Sequence, residues 1–198
     1  FYVNKIKPDL IHTNVSVIDI GFEVAKKTGI PHVWHIREFS TFCNYLHLPF
    51  AETYHSFRKK LFHKKNYCIS ITRALHSYYQ LDNKSKVIYN PVVNKSFFSE
   101  NERPISLLYA GGIDVSKGIM ELLYAFSMYC INYKNSLLHV IGTTQNRSWR
   151  KVKRLIAKNN LTKNIVFLGE RNDINEIMLK SKVVIVPSRS EGLGRTMI

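Results

Sequence analysis

The sequence is short of cysteine, of acidic residues and of long apolar runs. Its 198 residues include three cysteines, Cys43, Cys68 and Cys130, far apart and with no Cys-x-x-Cys pair. That spacing supports neither a disulfide framework nor a zinc site, and it reads as small buried hydrophobes in a reducing cytosol. No apolar run approaches the roughly 18–20 residues that a membrane-crossing helix needs. The longest candidate, Leu122 to Ile131, is too short and is broken by Ser127. The chain also lacks the polar bias of disorder: 45% of residues are hydrophobic and 22% charged, enough for a sizeable core in one or two domains. It has no initiator Met or signal peptide at Phe1, and Ile198 follows a glycine-rich turn where a helix should begin. These ends read as those of an internal fragment.

Fourteen acidic residues stand against 29 Lys and Arg, a formal net charge of +15. Such an excess attracts nucleic acid, anionic membrane surfaces or phosphorylated substrates. The densest cluster is Arg58, Lys59, Lys60, His63, Lys64 and Lys65. Tyr54, Phe57 and Leu61 recur beside it at helical spacing, which predicts an amphipathic helix with one basic face. Three readings of that face stand: a merely solvated surface, docking on an anionic membrane, and nucleic-acid binding. The last has the least support, because no basic–aromatic motif of a nucleic-acid module occurs.

Short β-rich apolar runs alternate with amphipathic segments. A strand at Leu10–His12 precedes a helix whose face is traced by Val17, Gly21, Val24 and Thr28 and stopped by Gly29 and Pro31. Strands follow at 32–36, 67–71 and 86–89, and Thr72 is placed to cap a helix running toward Tyr79. Asn90-Pro91 ends this block, and the polar stretch from Asn94 to Pro104 reads as a linker. A second block repeats the rhythm with strands at 106–110, 137–141, 164–168 and 182–186. One helix between them carries Ile119, Leu122, Leu123, Phe126 and Cys130; the next carries Trp149, Val152, Leu155 and Ile156. The alternation predicts an α/β chain of two Rossmann-like blocks, their parallel sheets covered on both faces. Ligands in such sheets bind at the carboxyl ends of strands, where every motif below falls.

The first motif is Tyr109-Ala110-Gly111-Gly112-Ile113-Asp114-Val115-Ser116-Lys117-Gly118, leading into a helix. A strand, a glycine turn and a helix start aim backbone N–H groups and the helix dipole at an anion. Lys117 would add a full charge against a phosphate. The pattern is not the phosphate loop Gly-x4-Gly-Lys-Ser/Thr of nucleotide hydrolases. The second motif, Val186-Pro187-Ser188-Arg189-Ser190-Glu191-Gly192-Leu193-Gly194-Arg195, follows the apolar run Val183–Val186. A carboxylate can accept two sugar hydroxyls while amides exposed by glycine face phosphate oxygens.

Gly-Gly-x4-Lys-Gly, then Phe-Leu-Gly, then Pro-Ser-x-x-Glu-Gly-x-Gly, in this order, resemble the large retaining family 4 of bacterial glycosyltransferases, also described as glycosyl transferases group 1. Lys7-Pro8-Asp9-Leu10-Ile11-His12-Thr13-Asn14, Trp34-His35-Ile36-Arg37-Glu38-Phe39 and Val87-Ile88-Tyr89-Asn90-Pro91 look like the same family. The resemblance implies the GT-B fold, with two Rossmann-like parallel-sheet domains that are both incomplete here. Residues 1–92 would belong to the acceptor-side domain, 93–104 to a linker and 105–198 to the donor-binding domain.

The resemblance further implies a nucleotide-sugar donor, UDP- or GDP-linked, as a substrate, with no cofactor and no metal. No Asp-x-Asp pair occurs, in keeping with metal independence. Lys117 would contact the diphosphate beside Gly111 and Gly112. Glu191 would contact the transferred sugar, near the amides of Gly192, Leu193 and Gly194, and Glu170 and Arg171 would border the base. His35, Arg37 and Glu38 would lie near the reacting sugar, in an open register, and His12 and Asn14 would line the acceptor-side cleft. His32, His47, His55, His63, His76 and His139 read as structural or surface residues. Many members carry an arginine where Gly112 stands; losing such a phosphate contact would cost about 1.5–3 kcal/mol. Arg189 or Arg195 are the candidates to replace it.

The implied reaction is transfer of a hexosyl-type glycosyl group, with retention, to a sugar acceptor carried on a lipid. The implied setting is bacterial surface polysaccharide synthesis, such as capsule, in the cytoplasm and at the inner face of the cell membrane. The alternative is a catalytically silent nucleotide-sugar-binding protein of the same fold. The isolated piece is expected to be inactive and marginally stable, with uncovered sheet edges.

Overall fold

The computed structural model describes residues 2–39, 54–91, 102–145 and 148–197. Cys43, His47 and residues 93–101 of the expected linker lie outside them. The chain divides into two compact units, Phe1–Val92 with Ser190–Gly194, and Val93–Arg189 with Arg195–Ile198.

The first unit runs α1 (Tyr2–Ile6), β1 (Ile11–Asn14), α2 (Ile20–Thr28), β2 (His32–Ile36), α3 (Tyr54–Leu61), β3 (Asn66–Ser70), α4 (Arg73–Tyr78) and β4 (Lys86–Val87). Its sheet is parallel, in the order β1-β2-β3-β4. Each strand is added on the same side of the last. Right-handed crossovers therefore deliver α2, α3 and α4 to one face. There Trp34, Ile36 and Cys68 meet Phe22, Phe57, Leu75 and Tyr79 in one core. Among the described residues the helices α2, α3 and α4 cover this one face, where cover on both faces was expected. Burial alternates along β2, where His32, Trp34 and Ile36 are buried and Val33 and His35 only partly so.

The face of α2 is a second correction. Gly21 of the expected stripe of Val17, Gly21, Val24 and Thr28 does face the sheet, where a β-carbon would overlap the Thr13 hydroxyl. The helix nevertheless starts at Ile20 and buries Phe22 and Ala25, while Val24 is half-buried and Thr28 exposed. The Phe22 ring stacks on Trp34 at 5.7 Å, and burying that aromatic area outweighs the smaller aliphatic stripe. The stop is as expected: Gly29 takes φ 74° and donates its N–H to the Ala25 carbonyl. Thr72 caps α4, its hydroxyl accepting from the Leu75 N–H at 3.2 Å. The strand expected at 86–89 is only Lys86–Val87.

The basic cluster is partly engaged inside this unit. Lys60 pairs with the buried Asp19 at 2.7 Å and with Glu23 at 2.9 Å. Lys65 donates to the Gly29 carbonyl at the end of α2. Cys68 is buried, and burial pushes its thiol up to about 12.

The second unit runs β5 (Ile105–Ala110), a short turn of helix (Val115–Lys117), α5 (Ile119–Asn132), β6 (Leu138–Ile141), α6 (Trp149–Lys158), β7 (Ile165–Gly169), α7 (Ile174–Leu179) and β8 (Ser181–Ile185). A further turn of helix spans Arg195–Met197. The sheet is parallel, ordered β7-β6-β5-β8, so the chain steps outward twice and then returns past β5. Reversal puts α7 on the face opposite α5 and α6, and this sheet is covered on both sides. Tyr109, Leu138 and Val140 pack against Leu123, Phe126, Val152 and Ile156. Leu108 and Ile141 pack against Ile177 on the other face. The Ile119, Leu122, Leu123 and Phe126 face of α5 is buried as its spacing predicts.

Candidate active site

In the second unit the strand order sets the carboxyl ends of β5 and β8 side by side, with β6 and β7 beyond. The loop after β5 carries Gly111 and Gly112. The Tyr109 hydroxyl donates to the Gly112 carbonyl at 2.6 Å, and the Gly111 N–H bonds the Ile141 carbonyl at 3.1 Å. Asp114 then caps the Val115–Lys117 turn, accepting from the Ser116 N–H at 2.9 Å, and it also accepts from the Ser148 hydroxyl at 3.2 Å. The hydrogen bonds from Ser116 hold its carboxyl below the usual carboxylate range. Lys117 closes the turn, one residue before Gly118 caps the amino terminus of the 14-residue α5.

Gly118 adopts φ 73°, and a β-carbon there would overlap the carbonyl oxygen of Pro187. No other residue suits that conformation and that approach together. The loops after β5 and β8 are thereby locked against each other. Gly142, after β6, is similarly tight, since a β-carbon would overlap the Gly111 carbonyl. Gly112 is the opposite case, with nothing within 4 Å of a β-carbon.

The two arginines proposed for this unit are held by neighbouring acids. Arg189 bonds Glu121 of α5 at 2.8 Å, and Arg171 forms a two-pronged pair with Asp173 at 2.8 and 2.6 Å. Both pairs are exposed, where ion pairs contribute little. Glu170 precedes Arg171 in the exposed loop after β7, and Arg195 is exposed at the start of the last helical turn.

The first unit collects a second set. His12 and Asn14 on β1 and His35 on β2 stand on the face of the sheet opposite the Trp34 core. The His12 and His35 rings stack at 5.7 Å, and the Arg37 guanidinium reaches the Asn14 side-chain oxygen at 3.4 Å. His35 Nε2 is buried, with no hydrogen-bond partner among the described residues. Burial first, then the charge of Arg37 and of His12, hold the His35 ring below its ordinary value, so it is neutral at pH 7.

Glu38 has a different task from its neighbours. Its Oε1 accepts from the Ser16 N–H at 2.6 Å, the Ser16 hydroxyl at 2.9 Å and the Val17 N–H at 3.3 Å. Its backbone carbonyl accepts from the Tyr79 hydroxyl at 2.9 Å. Glu38 thus ties the loop after β1 to the loop after β2 and positions Asn14 and Arg37. Ser16, fully buried, is the partner of Glu38 that the sequence reading did not single out. Its signal was faint: a serine two residues past a strand end. Asp114 and Gly142 were missed likewise.

Ser190–Gly194, expected in the donor-binding domain, groups with the first unit. Gly192 there leaves no room for a β-carbon, which would overlap the Arg37 carbonyl, and Leu193 packs on the first core. Glu191 is half-buried, and Gly194 is buried at φ 68°. The structure therefore places Glu191, Gly192, Leu193 and Gly194 in the unit that holds His12, Asn14, His35, Arg37 and Glu38. Gly111, Gly112, Lys117, Arg171 and Arg189 share the other.

Residues 93–198 match the family model described as glycosyl transferases group 1. An uncharacterized glycosyltransferase of Methanocaldococcus jannaschii is 30% identical over 120 residues, which is 60% of this chain and 32% of that protein. The structure of TarM aligns with 99% of this chain and 40% of its own, at TM-score 0.75 and 16% identity. Anabaena HepE, in complex with UDP and glucose, aligns with 98% of this chain and 57% of its own, at TM-score 0.69 and 17% identity. The pneumococcal O-GlcNAc transferase GtfA, in complex with UDP and GlcNAc, aligns over 99% and 41%, at TM-score 0.68 and 17% identity. The chain thus spans less than two thirds of each of these proteins, and the likeness to the solved structures is one of fold.

Proposed function

This chain belongs to the glycosyl transferases group 1 family and has the GT-B fold, and from that premise we propose that its protein transfers a glycosyl group from a nucleotide sugar to a sugar acceptor. The observation that carries the reading is the lock between Gly118 and Pro187. It fixes Lys117, the glycine loop after β5 and the start of α5 at one strand end, where amides, helix dipole and ammonium favour an anionic diphosphate. The donor base in this reading is uridine, because HepE and GtfA are both seen with UDP.

Transfer proceeds with retention, as in family 4, and the transferred group is a hexosyl unit. Lys117 stabilises charge on the departing diphosphate, and Glu191 holds hydroxyls of the transferred sugar, so catalysis is chiefly positioning and electrostatics. Arg171 borders the base. Arg189 leaves its exposed partner Glu121 for the diphosphate, supplying the charge that Gly112 lacks. Neutral His35, with its unpartnered Nε2, hydrogen-bonds the reacting sugar, and Asn14 with Arg37 orients the acceptor. No metal or cofactor takes part. The acceptor is a lipid-linked sugar used in surface polysaccharide synthesis, and the protein works at the cytoplasmic side of the membrane. Among the described residues no helix is long and apolar enough to cross a bilayer.

The test is transfer by the full-length gene product from UDP-hexoses, with the anomeric outcome read by NMR. Product of retained configuration supports the reading, and inverted product removes it from the retaining class. Tight UDP binding without transfer or donor hydrolysis supports a silent binding protein, the reading that the bare backbone at Gly112 favours.

A further inference from the structure

The sequence reading placed any membrane contact on the basic helix of the first unit, but the structure engages Lys60 and Lys65 there with partners of the same unit. The second unit carries a different surface. The helix α5 is apolar on its outer side as well as its inner one. Tyr124 is 52% exposed, Met128 69% and Ile131 71%, and Tyr129 and Tyr133 stack on each other at 4.5 Å at the end of the helix. One such residue would mean nothing, but a continuous row on one helix is uncommon on a surface that faces only water.

The helix α6 packs beside α5 against the same core. Its inner side is Val152, Leu155 and Ile156, and its outer side is Arg150, Lys151, Lys153, Arg154 and Lys158, all exposed. Lys134 and Lys163 extend the charge at either side of β6 and α6. Between Ile119 and Asn164 the sequence holds one acidic residue, Glu121, which is paired with Arg189. An apolar, tyrosine-bearing row thus runs alongside a row of cations with no acid among them.

We propose that the outer face of α5 and α6 docks on an anionic lipid bilayer. Tyrosine, methionine and isoleucine enter the interface between headgroups and acyl chains, while the cations of α6 meet anionic headgroups. Nucleic acid would use the cations and leave Met128 and Ile131 in water, so a bilayer accounts for both rows. The inference adds a membrane surface to the lipid-linked acceptor proposed above and does not depend on donor binding.

The experiment is co-sedimentation of the full-length gene product with vesicles, in the absence of any nucleotide sugar. Vesicles of phosphatidylcholine alone are compared with an equal mixture of phosphatidylcholine and phosphatidylglycerol. Binding is expected only to the anionic vesicles, and is expected to weaken as salt shortens the screening length. Each cation at such a surface is worth about fivefold in partitioning, so Lys151→Gln with Arg154→Gln should lower it about 30-fold. Tyr124→Ser with Met128→Ser should weaken it at constant charge. Lys59→Gln with Lys64→Gln, on the exposed basic surface of the first unit, should leave it unchanged.

Equal binding to both vesicle types would overturn the proposal, as would loss of binding in the Lys59 and Lys64 pair alone. Retention of short duplex DNA with no vesicle binding would also overturn it, in favour of nucleic acid. All four positions of the α5 and α6 variants are exposed, and circular dichroism of each variant guards against misfolding. UDP binding measured on the same variants separates this surface from the donor site, which they should not affect.

Discussion

Gly118 and the carbonyl of Pro187 are in such close contact that a β-carbon on Gly118 would occupy the space of that oxygen. The pair joins the loop after β5 to the loop after β8. It follows that Gly118→Ala is damaging twice over. The left-handed backbone alone costs about 1–3 kcal/mol for a residue with a side chain, and the overlap forces the loops apart. The expected result is a lower unfolding midpoint together with loss of UDP binding. A stable variant with unchanged UDP affinity would show that the contact does not shape the site.

Gly112 provides the converse test. Its surroundings are open, and its φ lies outside the left-handed region that favours glycine. Gly112→Arg should fold with an unchanged melting temperature. A guanidinium there that reaches the diphosphate adds about 1.5–3 kcal/mol, or roughly 10- to 150-fold in UDP affinity. Calorimetric titration with UDP reads this directly.

Glu38 is predicted to act through Ser16 and Val17. Removing the carboxylate in Glu38→Ala strands the N–H and hydroxyl of the buried Ser16, at about 1–3 kcal/mol for an unsatisfied group. Glu38→Gln keeps an oxygen acceptor and should recover most of that loss. Chemical denaturation of the two variants gives the comparison. Equal stability of wild type and Glu38→Ala would mean that the carboxylate does not brace the loop.

Acid should weaken the first unit. His32 and His35 both titrate below their ordinary value, chiefly because burial disfavours the charged ring. The unfolded chain then binds more protons than the folded one, so stability is full above the unfolded value of about 6.5. It falls as the pH drops below that value toward the lowered folded values. Melting temperature measured from pH 8 to pH 5 should be flat at first and then decline. Protonation of His32 would place a hydrogen on Nε2, which faces the Thr13 hydroxyl at 2.8 Å, while its Nδ1 bond to the Asn66 oxygen at 2.7 Å persists. A His32→Gln chain should show a shallower decline, and an unchanged profile would assign the titration elsewhere.

Local chemistry made part of this fold legible. Alternation over 32–36 gave β2 with its observed ends, and the lone hydroxyl of Thr72 before a helical run gave the cap of α4. Spacing of Ile119, Leu122, Leu123 and Phe126 gave the buried face of α5. What escaped depended on distant partners. The phase of α2 is set by Phe22 on Trp34 and by Asp19 pairing with Lys60, 41 residues away. The placement of α2, α3 and α4 on one face of the first sheet follows from strand order, which no local pattern encodes. The site divides the same way. A glycine turn before a helix marked Gly111, Gly112 and Lys117 as candidates, whereas nothing near Glu38 in the sequence shows that Ser16 bonds its side-chain oxygen. Nothing near Arg189 in the sequence shows its bond to Glu121, which lies 68 residues before it.

The measurement that bears most directly on the central claim is a thermal shift of the full-length gene product with UDP, GDP, ADP and dTDP, repeated on Lys117→Ala. A ligand at about 100 times its dissociation constant adds roughly 2.7 kcal/mol, a shift of a few degrees. The account predicts stabilisation by UDP above the other three nucleotides, abolished in Lys117→Ala. No shift with any nucleotide, or a UDP shift that survives loss of the Lys117 ammonium, would contradict it.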